Sequence, residues 1–533
     1  MDLIALADRF ARRLGILTFA LGCCLLLGSS ALAAAPAATP TFGFKDVVDK
    51  AKTLAAAPYK EDRRRVPDFL MNINFDQWRD IRFRTENSLW RKDKLPFEVQ
   101  FFHPGLYYEY GVTINSLAPD GTITSLTPSP ELFNYGQNDF GDKVPGDIGF
   151  AGFRVHCYIK NKEYKDEVIV FLGASYFRAI GRDNPYGLSA RGLALNTASP
   201  QGEEFPHFKE FWLKQPGAKD KTLTVYALLD SQSCAGAYTF VIKPGAKTLV
   251  DVDSSVFFRQ NVDKPGFAPL TSMFFYGKNT NTRPIDDFRP EVHDSDGLLM
   301  ASGSGEWIWR QLQNPRRLLD TSYAMSNPRG FGLIQRDTDY EDYQDLEAHY
   351  HLRPSCWVAP KGDWGRGRVE LVEIPSDLEY NDNIVAFWVP AALPAIGEPV
   401  NLAYTLTFSS WEPEDKLPPA GYVVATRTAA GRQEQSRKFI VDFKGGSLDK
   451  LKGNTPIQAE VSVGQGARLL EQQLMKNSED GGWRLVFTIL PDDQGTLQRV
   501  LPSNRPPIDL RAFLKQGNDA LTETWSYSYL LKE

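Results

Sequence analysis

Cysteine is scarce, with five in 533 residues, and two of these, Cys23 and Cys24, sit inside an N-terminal apolar run. Cys157, Cys234 and Cys356 remain, an odd number, each alone within apolar or aromatic sequence. A disulfide framework is therefore not expected, and small buried hydrophobes are the expected role. Basic residues are not in excess either: the formal net charge is -6 and no basic tail or stripe stands out, which speaks against nucleic-acid binding. Beyond residue 33 no stretch approaches the roughly 18 uninterrupted apolar residues of a membrane span. Helical periodicity is rare, and no fixed-period repeat is present.

What is there is a globular composition, 42% hydrophobic, 12% aromatic and 24% charged. The first 33 residues have the layout of a secretory signal: a basic start, an apolar run from Leu14 to Leu27, and Ala31-Leu32-Ala33 as a small-x-small cleavage site. The residues around Arg12-Arg13 match a twin-arginine signal poorly, so the general secretory route, a mature start near Ala34 and a periplasmic destination are expected. Phe44, Val47, Val48, Ala51, Leu54 and Ala55 then repeat at helical spacing, and Pro58 stops the pattern. Afterwards the period switches toward two. Phe97 to Phe101, Tyr107 to Ile114, Val155 to Ile159, Val168 to Leu172, Leu223 to Leu229 and Thr248 to Val256 read as strands between Gly, Pro, Asn and Asp turns. Without βαβ alternation this predicts antiparallel sandwich layers, an all-β protein.

At 533 residues two domains are the prior. Three prolines and four charges interrupt the strand pattern in Ser409 to Gly421, which predicts a first domain over 34–410, a linker over 411–421 and a second domain over 422–533. The last carries about seven strand-like runs, a number that suits an immunoglobulin-like sandwich.

Three polar, aromatic loop regions are candidates for chemistry. Between the strand-like runs Val369 to Ile374 and Ile384 to Val389 lie Asp377, Glu379 and Asp382, with Asp382 flanked by Asn381 and Asn383 and followed by an apolar run that would raise its pKa. The local alternative is an Asx turn. Residues 289–310 hold Glu291, His293, Asp294, Asp296 and Glu306 beside Trp307 and Trp309, and residues 346–365 hold His349, Tyr350, His351, Arg353, Trp357, Asp363 and Trp364. Paired carboxylates beside aromatic faces are what glycoside hydrolysis requires, one acid protonating the leaving oxygen and another activating water while rings stack on the sugar. Aromatic core residues are the alternative. Because Asp294 is flanked by His293, Ser295 and Asp296, it is expected to be the more hydrated and ionised of the two aspartates.

Other motifs are incomplete. Asp294-Ser295-Asp296-Gly297 lacks the further ligands of an EF-hand, and His349 and His351 have no partner at a zinc spacing. Gly303-Ser304-Gly305 lacks the helix and Lys of a phosphate loop. Ser175 has Gly173 before it but Phe177 where an esterase elbow needs glycine, so a strand serine is expected. No metal and no cofactor is called for.

The runs D-I-G-F-A-G-F-R-V (147–155), L-G-A-S-Y-F-R (172–178), Y-G-L-S-A-R-G-L-A (186–194), E-E-F-P-H-F-K-E-F-W (203–212), A-P-L-T-S-M-F (268–274), G-E-W-I-W-R (305–310), N-P-R-G-F-G-L (327–333) and N-D-N-I-V-A-F-W (381–388) resemble the periplasmic glucan biosynthesis proteins G and D of Gram-negative bacteria. The signal without a clear twin-arginine motif, and Asn381 before Asp382, resemble the G branch more than the D branch. The resemblance implies a galactose-mutarotase-like β-sandwich with a cleft, followed by an immunoglobulin-like domain. It also implies a role in osmoregulated periplasmic glucans, with inverting hydrolysis or transglycosylation of β-1,2-glucan and the inner-membrane glucan glucosyltransferase as a possible partner. The family's acid falls on Asp382, in N-D-N-I-V, and its base on Asp294, in R-P-E-x-H-D. Tyr350 and Glu379 match further cleft positions more loosely. Leu378-Glu379-Tyr380 departs from the polar Asp/Thr-rich loop of the family.

Overall fold

Strands that alternate apolar and polar residues need a second layer to bury their apolar side, and the computed structural model shows two large sheets doing this for each other. It describes residues 42–61, 66–281, 283–412, 418–492 and 505–531. The expected signal over 1–33, and residues 413–417 of the expected linker, lie outside the described residues.

The first sheet has ten strands. Its order runs from Phe97–Phe102 through Gly152–Cys157, Asp166–Leu172, Tyr176–Ala179, Ser189–Arg191, Pro265–Ser272, Ile384–Pro390 and Arg366–Glu373 to Leu319–Ser326, with Leu193–Leu195 paired on the side. Its neighbours are antiparallel, and one side of each strand enters the main core: Phe153 and Val155, Phe171, Phe177, Ala190, Leu270, Ile384, Ala386 and Trp388. The period of two puts Arg154, Tyr176, Arg178, Ser189, Arg191 and Thr271 on the opposite side, away from that core.

The second sheet supplies the other half of this core through Phe211, Val225, Phe240, Val252, Met300, Leu333, Val358 and Leu406. On its far side lies the N-terminal helix, Phe44–Ala55, which sets Val47 and Ala51 against Trp212, Leu228, Ala237 and Phe257. The helix forms where the apolar spacing predicts it. Tyr107 to Val112, expected as strand, is instead a turn region closed by the Gly105–Tyr108 bridge, and the strand begins at Thr113. Ser175 is also not a strand residue, because positive φ at Gly173 and Ala174 reverses the chain there.

The chain after 418 forms two layers. One has four strands, in the order Tyr422–Ala430, Arg437–Lys444, Trp483–Pro491 and Ala467–Lys476. The other, Gln458–Val463, Ile508–Gln516 and Thr524–Tyr529, extends the second large sheet, since Thr524–Tyr529 pairs in parallel with Trp307–Gln311. Their shared core includes Phe439, Phe487 and Trp525 and also Leu299, Trp309 and Ile334 from the earlier chain. Arg336 fastens this junction: its guanidinium donates to both carboxylate oxygens of Glu523 at 2.6 and 2.9 Å and to the Val423 carbonyl at 3.0 Å, and lies 3.7 Å over the Trp309 ring.

Cys157, Cys234 and Cys356 are buried and free, and burial pushes the first two thiols up to about 12. No helix among the described residues is long and apolar enough to cross a membrane.

Candidate functional site

Asp294 and Asp382 are 88 residues apart in sequence, and a three-residue segment joins them in space. Pro265–Ser272 ends with Ser272 paired to Ile384, and two residues later Phe274 pairs with His293. Between them, the Met273 carbonyl accepts the backbone N–H of Asp294 at 2.9 Å, and the hydroxyls of Ser272 and Ser295 meet at 2.9 Å. From the other side Asn383 uses its whole amide. Its Oδ1 accepts from the Phe274 N–H at 2.9 Å, and its Nδ2 donates to the carbonyls of Phe274 and Ile374 at 3.0 and 3.1 Å. Residues 272–274 are thus the common mount of both acidic loops.

The two aspartates meet different surroundings, and in the opposite sense to the sequence expectation. The Asp294 side chain is only 6% exposed and forms an ion pair with Arg353, whereas Asp382 is 33% exposed with Arg178 Nη2 at 3.6 Å. The polar neighbours His293, Ser295 and Asp296 do not hydrate Asp294, because each is itself buried and bonded within the fold. Burial raises the pKa of Asp294, the Arg353 guanidinium opposes the rise, and the Asp382 charge adds to it. Asp382 is also raised by the surrounding protein mass, against Arg178, then Arg353 and Arg191. Its open third moderates both effects through solvent. Since Asp382 acts on Asp294 and Arg353 on both, the carboxylates share one electrostatic field.

Tyr350 and Arg353 join this group. The Arg353 guanidinium lies 4.3 Å from the Tyr350 ring and donates to the Ala348 carbonyl at 3.2 to 3.3 Å, so it is fixed before it meets Asp294. Burial pushes the Tyr350 phenol well above its ordinary range. Glu379 stands at the rim, its carboxylate 2.6 Å from Arg289, which also binds Asp287 at 2.7 Å and Asp345 at 3.1 Å and so clasps three loops.

Behind Asp294 runs a buried network. Gln335 Nε2 shares its two hydrogens among the His293 carbonyl, the Tyr343 hydroxyl and the Tyr350 carbonyl at 3.0, 2.9 and 3.2 Å, and Gln335 Oε1 lies 2.9 Å from His293 Nδ1. Nε2 of the same ring meets the Glu291 carboxylate at 3.1 Å. Both ring nitrogens face acceptors, an arrangement that favours the imidazolium; burial opposes that charge, and Glu291 with Asp296 and Asp337 outweighs it, leaving the pKa raised. Asp296 accepts the backbone N–H groups of Arg336 and Asp337, an end-of-strand cap rather than a cation loop. Glu291, Asp337 and Asp342 converge closely enough to hold a metal ion, and the Lys278 ammonium occupies the position such a cation would take, pairing with all three.

The tryptophans named from sequence lie elsewhere. Trp309 is buried in the C-terminal core under Arg336, and Trp307 and Trp357 stack on each other at 5.8 Å against the same core. Trp309 fits where it does because residue 297 is glycine: a Cβ there would stand 2.1 Å from the indole. Glu306 holds Arg511 and the Thr524 hydroxyl, also at that junction.

The residues that do face the aspartates, and that the sequence reading missed, are Arg178, Arg191 and Tyr176. Arg178 Nε donates to the Ser189 hydroxyl at 2.6 Å, and Arg191 lies 4.8 Å over the Tyr176 ring with Nη2 2.7 Å from Glu203. The signal was present: Tyr176-x-Arg178 and Ser189-x-Arg191 put polar groups two apart in strands whose alternate residues are apolar.

Fold and site together define an all-β protein with two carboxylates of distinct environment at the ends of neighbouring strands. The family model described as "Periplasmic glucan biosynthesis protein, MdoG" matches residues 42–529. Glucans biosynthesis protein G of Ralstonia nicotianae is 48% identical over 513 residues, 94% of this chain and 99% of that protein. The chain belongs to the periplasmic glucan biosynthesis protein family. Among solved structures a polysaccharide lyase matches at 10% identity over 72% of this chain and 44% of that one, with a TM-score of 0.18, too low to carry an argument. Membership places the chain in the periplasm and in glucan biosynthesis.

Proposed function

We propose that the chain processes the β-1,2-glucan backbone as an inverting glycoside hydrolase or transglycosylase, with Asp382 as general acid and Asp294 as the base that activates water. The observation that carries this reading is the pair itself: two carboxylates on one mount, in one electrostatic field, one open and one enclosed. Asp382 is open to an incoming glycosidic oxygen, and its raised pKa keeps a proton available to the leaving group. Asp294 is enclosed; burial raises its pKa, and the ion pair with Arg353 opposes that rise in favour of the ionised form a base requires. Because Asp294 is covered, its proton uptake runs through an intervening hydroxyl or water rather than by direct contact with the anomeric carbon. Tyr350 and Arg353 hold that side of the sugar.

A second reading is favoured by the same cover on Asp294: a non-catalytic glucan-binding scaffold that guides nascent chains from the membrane glucosyltransferase, its carboxylates only accepting hydrogen bonds from hydroxyls. Incubation of the purified mature chain with linear β-1,2-glucan separates the two. Shortened or rearranged chains, with an initially inverted anomer by proton NMR, support the enzyme; tight binding with no change in chain length overturns it and leaves the scaffold.

A further inference from the structure

A shallow, open pocket is walled by Tyr107, Tyr108, Tyr110 and Phe208 with Glu109 and Lys209 among its polar groups. Several rings beside charged hydrogen-bonding groups suit a sugar residue, which presents a C–H face and a girdle of hydroxyls. Tyr107 is 79% exposed, so its ring serves no core. Tyr108 is fixed instead, packed on Trp78 at 5.0 Å and against Gly173, where φ is +77° and a Cβ would stand 3.2 Å from the phenol ring.

Two paths connect this pocket to the aspartates. Gly173 accepts the backbone N–H of Tyr176 at 2.9 Å, and the strand that starts there displays Tyr176 and then Arg178, the partner of Asp382; the Arg178 charge also reaches Tyr108. On the other edge Arg191 spans the rings of Tyr176 and Phe205, at 4.8 and 5.0 Å, and His207, two residues on, lines the pocket. Arg178 thus acts on both Asp382 and the pocket residue Tyr108.

We infer that this pocket is a distal subsite for a glucosyl residue of the same chain whose reacting linkage lies at Asp382 and Asp294, which makes the protein a reader of chain length; the inference rests on the glucan-processing reading. The test is calorimetric titration of the full mature chain, wild type, Tyr107→Ala and Tyr107→Phe, with a short and a long linear β-1,2-glucan, after thermal melts show equal folding. Tyr107→Ala is expected to lower affinity for the long chain about five- to tenfold, the loss of one stacked ring, and so to reduce the preference for long over short. Tyr107→Phe, which keeps the ring, is expected to retain it. A wild type that prefers long chains and a Tyr107→Ala that prefers them equally would overturn the subsite while leaving the glucan reading intact. An equal loss for both lengths also overturns it, since the effect is then not distal. A wild type that binds no β-1,2-glucan of any length overturns subsite and glucan reading together.

Discussion

The loops of Asp294 and Asp382 hang from the same three residues and yet give their carboxylates opposite access. Asp294 is roofed by Arg353 and backed by the His293–Gln335 network, whereas Asp382 projects from the turn before its strand, with Asn383 taking the inward position. Sequence neighbours do not decide hydration. What decides it is which side chain arrives from a distant segment to cover the group, and Arg353, 59 residues on from Asp294, is such an arrival.

The largest expected effect tests whether the two carboxylates divide one reaction. Asp382→Asn and Asp294→Asn should each lower turnover on β-1,2-glucan by about two to four orders of magnitude with little change in binding. A Asp382→Asn variant within about tenfold of wild type, above the roughly hundredfold loss expected for general acid catalysis, would remove the acid from the scheme. Next in size is Trp309→Ala, which strips the indole from beneath Arg336 behind the Asp294 loop and should reduce stability by about 3–5 kcal/mol in denaturant titrations. A loss under about 1 kcal/mol would show that the junction does not depend on this ring.

Arg353→Met addresses the enclosed member. Arg353 holds the Asp294 pKa down against burial, so its loss raises that pKa further, the base stays protonated to higher pH, and the acidic limb of kcat/KM should move upward. Arg178→Met addresses the open member by the same logic. Asp382 would keep its proton to higher pH, so here the alkaline limb should move upward. The shift should be the smaller of the two, since solvent screens a side chain that is one-third exposed. Equal shifts, or a shift of the opposite limb in either variant, would break the assignment of roles.

Much of the architecture was legible because period-two patterning needs only local sequence: the strands Leu223–Asp230 and Thr248–Phe258 begin where alternation predicts, and Phe44–Ala55 follows the 3.6 spacing. The turn region before Thr113 was misread because Tyr107, Tyr108 and Tyr110 have strand propensity, while the fold turns them toward a pocket. At the site, the acidic loops were visible as composition and as family motifs. The tryptophans misled for the reason that they are large: Trp307 and Trp309 stand beside Glu306 in sequence, yet strand pairing with Thr524–Tyr529 carries them into a core formed two hundred residues later. The alternation around Arg178 marks it as facing away from the core and does not say what it faces; that comes from the sheet order that brings Tyr176–Ala179 near Ile384–Pro390.

Asn383 spends its amide on three backbone groups from two segments, and with the Met273 carbonyl, which accepts the Asp294 N–H, it ties both acidic loops to residues 272–274. Part of the surrounding rim, 283–289 and 344–347, is joined to the Asp382 loop through Arg289, which pairs with Asp287, Asp345 and Glu379. Length and composition of the rim are therefore free to drift while the reactive spacing stays constant. Relatives built on this plan are expected to differ in which glucans they admit far sooner than in what they do to the linkage.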